Sequence, residues 1–377
     1  MRIAINTRFL LKSKMEGFGW FTYETVKRIV IAHPEHEFYF FFDRKYDNSF
    51  IFAKNVTPVV LNPPTRTAVL IKYWFNISVP KALKKYKIDL FFSPDGFLSL
   101  KTDIPQIGVM HDLNFEHYPN DLPGKYLRFY KKYFPQFAEK AIHLLTVSKY
   151  SKQDIIEQYD INPDKITVAY NGANDAFKPL STEEVQSVKQ KYSSGVDYFV
   201  FVGALHARKN VPRLFEAFDL YKKNSQSDFK LIVVGEKLWK DEALENAYSK
   251  MQFKGDVIFT GHLSLDELTK VVASAKSLVF PSYFEGFGIP VVEAMKAGCP
   301  VICSNKTSLP EVAGDAAILF DPFSVEDMAN AMNEIDANEI LRTELIAKGT
   351  EQAKKFNWDK TAEKVWESIS MCLHAKF

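Results

Sequence analysis

Thirteen short apolar runs recur along this chain, and longer amphipathic stretches separate most of them. The first set is "RIAINT" (Arg2 to Thr7), "EFYFFFD", "TPVVLN", "DLFFSP", "PQIGVMHD", "HLLTVS" and "ITVAYNG". The pattern then restarts with "YFVFVGAL", "FKLIVVG", "DVIFTG", "SLVFPS", "PVICS" and "AAILFDP". Strands that alternate with helices fit a parallel sheet covered on both faces. The chain is therefore expected to be α/β, with two consecutive doubly wound units. The expected bounds are residues 1–178 and 195–355, joined by a connector with a short helix. Residues 356–377, which contain "NWDKTAEKVWESISMCLHAKF", read as one amphipathic helix with no strand after it.

Length agrees with this division, since 377 residues are long for one core and comfortable for two. Hydrophobic residues at 46% and charged residues at 25% are in the range of a soluble globular protein. No apolar run approaches the roughly 18 to 20 residues of a spanning helix. The opening "MRIAINTRFLLKSK" lacks the pattern of a secretory signal. Cys299, Cys303 and Cys372 are an odd set without paired spacing, which suits free thiols in a reducing cytoplasm. The net charge of +2 is unevenly spread: residues 1–178 carry 25 Lys and Arg against 18 Asp and Glu. The basic half is a candidate for contact with a lipid headgroup or a phosphorylated acceptor. Solvated helix faces explain the same charges. No nucleic-acid partner is expected.

Ligands of doubly wound sheets sit at the carboxyl ends of strands. The loops at those ends carry glycine, histidine or charge: "EGFG" near residue 17, "HD" at His111, "HARKN" after "FVFVGAL", "HLS" after "VIFT", and "FEGFG" after "LVFPS". Arg208 and Lys209 lie in "GALHARKNVPRLFEAF", beside an expected helix start near Val211. Two cations beside a helix N-terminus suit a diphosphate. The plain alternative is an exposed basic loop with Asn210 as the cap. In "VFPSYFEGFGIPVVEAMKAGCPVI", the turn holds Gly286 and Gly288, with Pro290 in the first turn of a helix and Gly298 past its end. Backbone amides can approach a ligand closely there. Glu285 and Glu293 flank the turn, and carboxylates accept hydrogen bonds in pairs from vicinal hydroxyls. The alternative is a turn cap and a solvated helix acid. The apolar neighbours of Glu293 make an unpaired charge expensive there.

At this point the chain resembles the family-4 retaining glycosyltransferases of GT-B fold, whose E-x7-E signature Glu285 and Glu293 match. The resemblance covers nearly the whole chain. "EGFGWFTYE", "MHDLNF", "LLTVSKYSKQDI", "VAYNGANDAFKP", "GALHARKN", "VIFTGHLSLDEL" and "AGCPVICSNKTSLPEVAGDAAILFDP" follow in the family's order. It implies two Rossmann-like domains facing a central cleft, with the final helix crossing back onto the first. It also implies roles. Lys209 and Arg208 would grip the donor diphosphate, and Glu293 the ribose hydroxyls. Glu285 and the amides of Gly286, Phe287, Gly288 and Ile289 would hold the transferred sugar. His111 would face that sugar, Gly17 and Gly19 would let the first loop approach the phosphates, and the base would lie near Thr260 to Leu263. One departure stands out: many members carry Arg where this chain has Ala204. A subgroup with "RKN" often uses GDP-mannose or a related hexose donor.

The expected reaction is retaining transfer of a hexose from a nucleotide diphosphate to a glycan or lipid-linked saccharide, without cofactor or metal. A nicotinamide oxidoreductase would need a third glycine in "EGFGWF" and an earlier position after the strand. A sugar-binding protein that keeps the fold without turnover is the non-enzymatic alternative. "RTAVLIKYWFNISVPKALKKYK" and "PGKYLRFYKKYFPQFAEKAIH" mix basic and aromatic residues, as helices resting on an anionic membrane would. Ordinary helices with apolar faces in the core and basic faces in water are the plain alternative.

Overall fold

"EFYFFF" shows why the runs become strands: five of its six side chains are buried, so both faces of its sheet are covered. The computed structural model describes residues 1–12, 15, 17–236 and 242–374. Glu16, which opens the first Gly-rich stretch, and residues 375–377 of the final stretch lie outside the described residues. The chain divides into two compact units. One is Met1–Asn171 with Trp358–Phe377, and the other is Gly172–Asn357.

The first unit contains strands β1 (Arg2–Asn6), β2 (Glu37–Phe42), β3 (Val56–Val60), β4 (Leu90–Ser93), β5 (Gln106–Val109), β6 (His143–Thr146) and β7 (Ile166–Val168). They form one sheet in the order β3-β2-β1-β4-β5-β6-β7, with every pairing parallel. Its helices are α1 (Gly17–Ala32), α2 (Ala68–Tyr73), α3 (Val79–Lys85), α4 (Asn114–His117), α5 (Gly124–Lys140) and α6 (Lys149–Tyr159). A π-helical turn, Trp74–Ser78, joins α2 to α3.

The second unit contains helix α7 (Thr182–Ser193), whose Ser181 and Glu184 form a capping box. Its strands are β8 (Tyr198–Val202), β9 (Lys230–Val234), β10 (Val257–Gly261), β11 (Ser277–Phe280), β12 (Val301–Ser304) and β13 (Ala317–Phe320). Their order is β10-β9-β8-β11-β12-β13, again parallel throughout. Helices α8 (Val211–Ser225), α9 (Glu242–Lys250), α10 (Leu265–Ala273), α11 (Ile289–Lys296), α12 (Leu309–Ala313), α13 (Val325–Ala337) and α14 (Glu339–Ala353) cover the faces. Both sheets are doubly wound, with strand order reversing beside β1 and β4 in one and beside β8 and β11 in the other. Helix α15 (Trp358–His374) then packs on α1 of the first unit.

The cores explain these boundaries. Phe91, Trp74, Phe75 and Leu144 belong to one buried cluster, and Phe199, Phe215, Phe218 and Val279 to another. Gly17 and Gly19, expected in the first loop, are instead in the first turn of α1. Gly19 is needed for contact, since a Cβ there would meet the Phe9 carbonyl oxygen at 2.8 Å. The three cysteines are free and buried. Among the described residues, no helix is long and apolar enough to cross a membrane.

Candidate active site

In the second unit the strand order reverses between β8 and β11, so the loops leaving these strands diverge and open a crevice. The β8 loop carries one 3₁₀ turn, Ala207–Lys209, and then Asn210 in the left-handed conformation at φ 59°. Asn210 precedes α8, but its side chain makes no capping bond. Its amide instead donates to the carbonyls of Pro281 at 3.2 Å and Pro322 at 2.6 Å, fastening three strand-end loops together. The backbone N–H of Tyr283 donates to the Arg208 carbonyl at 3.0 Å, a second tie between the β8 and β11 loops.

These ties place Arg208, Lys209 and Glu285 in one cluster. The Lys209 ammonium is 2.6 Å from Glu285 Oε1, and Arg208 Nη1 is 2.8 Å from Oε2. Arg208 also donates to the Phe284 carbonyl at 3.1 Å. Lys209 is buried, with its ammonium 4.7 Å from the centre of the Phe280 ring. Burial alone would raise the Glu285 carboxyl, but Arg208 and Lys209 outweigh it and hold it down to about 2. The cluster is thus two fixed cations and one fixed anion, with a net positive charge.

The turn after Glu285 is braced from below. The Glu285 N–H donates to Thr307 Oγ1 at 3.1 Å. The Ser308 hydroxyl lies 2.9 Å from the Glu285 carbonyl oxygen and 3.1 Å from that of Phe287, donating across both. Gly288 has φ 100°, where an L side chain is strained, and a Cβ would meet Leu309 Cδ2 at 2.6 Å. Helix α11 starts at Ile289 with Pro290 in its first turn. It ends as the sequence predicts: Gly298 N–H donates to Met295 O and Cys299 N–H to Ala294 O, with Gly298 at φ 71°. Glu293 lies in this helix, mostly buried. Burial pushes its carboxyl up to about 8, against the opposing pull of the Asn174 backbone and Lys296. The Thr260 to Leu263 segment closes β10 on the same strand-end side of the sheet.

In the first unit, His111 follows β5. Its Nε2–H donates to the Pro94 carbonyl at 2.8 Å. The edges of Phe18 and Phe21 pack on the ring at 4.7 and 5.0 Å. Burial lowers the imidazole pKa, against Pro94, Asp112 and Asp95, so the ring is neutral with Nδ1 as the acceptor. At the reversal point of this sheet, Arg8 and Asp95 pair at 2.5 Å with almost no exposure, and Arg8 lies over Phe97. The bracing residues Asn210, Thr307 and Ser308 were not singled out as functional from the sequence. Their only local signal was position inside the "RKN" and "SNKTSLPEVAG" segments.

The family described as "Glycosyltransferase Family 4" matches residues 18–177, and "Glycosyl transferases group 1" matches residues 183–352. The chain is 27% identical to the O-antigen chain mannosyltransferase B of Escherichia coli over 360 residues, covering 93% of this chain and 94% of the relative. It is 31% identical to an uncharacterised glycosyltransferase of Methanocaldococcus jannaschii, over 75% of this chain and 76% of the other. The sucrose-phosphate synthase of Thermosynechococcus elongatus superposes with a TM-score of 0.80 at 17% identity, over the whole of both chains, which speaks for the fold alone. These matches leave the nicotinamide oxidoreductase reading without support, and the chain belongs to the group 1 and family 4 glycosyltransferases, of GT-B fold.

Proposed function

We propose that this glycosyltransferase moves a hexose with retention of anomeric configuration, from a nucleotide diphosphate donor to a glycan or lipid-linked saccharide. GDP-mannose is the preferred donor in this reading, because O-antigen chain mannosyltransferase B is among the relatives that match nearly end to end. The observation that carries the reading is the cluster of Arg208, Lys209 and Glu285 at the reversal point of the second sheet. Two cations held together by one carboxylate form a preorganised site for a diphosphate.

Lys209 and Arg208 take the diphosphate, and its charge replaces that of Glu285 as their main partner. Glu285 is then released toward the hexose, beside the amides of Gly286 to Ile289. Glu293 accepts hydrogen bonds from the ribose hydroxyls as a carboxylate. His111, neutral and fixed by Pro94, offers Nδ1 as an acceptor to the sugar. Gly17 and Gly19 let the start of α1 come close to phosphate. Leaving-group charge is neutralised by side chains and helix N-termini, so chelation of divalent cations should leave turnover unchanged. The protein works on the cytoplasmic side, peripheral to the inner membrane where lipid-linked acceptors reside.

A screen of nucleotide sugars for hydrolysis and transfer tests the donor, and the anomeric proton of the product reports retention. No turnover of any donor, with nucleotide binding intact, would favour the non-catalytic alternative. Lys209→Ala and Arg208→Ala should each weaken nucleoside diphosphate binding by about 1.5–3 kcal/mol in calorimetric titration. Wild-type affinity in both variants would remove the diphosphate assignment.

A further inference from the structure

The helical run from Ala68 to Lys85 is apolar on two sides. Its inner side carries Trp74 and Phe75, both fully buried, with the Trp74 indole N–H donating to the Leu61 carbonyl at 2.8 Å. That side is an ordinary core face. The outer side also carries apolar residues: Val69 is 75% exposed, Tyr73 45% and Ile77 37%. They recur every four residues, and the π-helical turn at Trp74–Ser78 lies within the row. Single exposed apolar residues are commonplace, but three in one row on one helical run form a stripe.

The charge around the stripe has one sign. From Asn62 to Ile88 the chain has six Lys and Arg residues and no Asp or Glu. Lys72 stands beside the stripe, and Lys81, Lys84 and Lys85 continue the exposed side toward the end of α3. Helix α5 packs against α2 and adds a second basic row. The Lys72 and Lys132 ammonium groups lie 5.8 and 5.6 Å from the Tyr133 ring centre, one from each helix. Arg128 and Lys125 extend that row at helical spacing, exposed like Lys132.

We infer that this face of α2, α3 and α5 docks on a bilayer surface bearing anionic headgroups. Val69, Tyr73 and Ile77 enter the interfacial zone, and the two basic rows rest on the phosphates. A second copy of the same surface would bring like charges together, which disfavours self-association. The inference deepens the lipid-linked acceptor reading and rests on it, since a docked enzyme meets such acceptors in two dimensions.

The test is flotation of the full chain with vesicles of phosphatidylglycerol mixed into phosphatidylcholine, against phosphatidylcholine alone, at low and moderate salt. The expected result is strong binding to the anionic vesicles only, weakened by salt. The triple variant Val69→Ser, Tyr73→Ser, Ile77→Ser should lose about tenfold in partitioning. The charge variant Lys72→Glu with Lys132→Glu should lose the preference for anionic lipid. Both should hydrolyse a soluble donor as the wild type does, so absent turnover would count against the functional reading and leave the docking result standing separately. Equal recovery of wild type in the soluble fraction with both vesicles would overturn the inference. So would wild-type partitioning by the triple variant, or a dimer in solution that the triple variant abolishes.

Discussion

At the residue scale, Glu285 matters as a counter-ion before any sugar is present. Glu285→Gln leaves two neighbouring cations without their anion, and breaking a buried pair costs about 3 kcal/mol. The melting temperature should fall, and added nucleoside diphosphate should recover more stability in the variant than in wild type. Turnover should drop while diphosphate affinity holds or rises; reduced affinity would show that Glu285 assists diphosphate binding. Glu293 behaves in the opposite sense. Its folded pKa, pushed up to about 8, lies above the ordinary carboxyl value. The folded state therefore holds a proton that the unfolded chain has lost, and stability contributed by this group falls as pH rises from about 4.5 toward 8. Ribose hydroxyls that donate to a carboxylate would expel the proton. Nucleotide binding at pH 7 should then release protons, read from calorimetry in buffers of different ionisation heat, and Glu293→Gln should abolish the release. A release unchanged in the variant would move the ribose elsewhere.

At the scale of elements, the glycine turn is only as rigid as its bracing. Gly288→Ala would place a side chain at φ 100° and against Leu309, at a cost of about 1–3 kcal/mol. Ser308→Ala removes one hydroxyl that serves two carbonyls, and should lower turnover with little effect on the secondary structure. Circular dichroism with initial rates checks both, and wild-type turnover in both variants would exclude a positioning role for the brace. The sequence makes the strands legible because their burial is nearly continuous, as in Phe38 to Phe42. It makes α11 legible because Pro290 and Gly298 are local signals. It hides Asn210, Thr307 and Ser308 in their bracing roles, because each bonds residues 21 to 112 positions away. Gly17 and Gly19 read as loop glycines because spacing cannot reveal that Phe9 leaves no room for a Cβ at Gly19.

At the scale of the molecule, both sheets place charge at their reversal points and use it differently. Arg8 and Asp95 are sealed from water, with side-chain exposures of 4% and 1%, and so hold the first unit together. Arg208 keeps 25% of its side chain exposed and remains accessible to a ligand. The first unit also depends on α15. Phe21 meets Trp358 edge-on, His33 stacks on Trp366 at 3.7 Å, and Thr361 donates to the Tyr170 carbonyl at 2.6 Å. Ending the chain after Asn357 should therefore destabilise the first unit while the second keeps its diphosphate affinity. Limited proteolysis and calorimetry would show this, and an undiminished melting transition for both units would refute it. Helix α15 also sets a schedule. The ribosome delivers every strand of the first sheet early, yet its last helix emerges only after the whole second unit has been made. The part synthesised first is the part completed last, and until then the side of α1 that receives Trp358 waits uncovered for its partner.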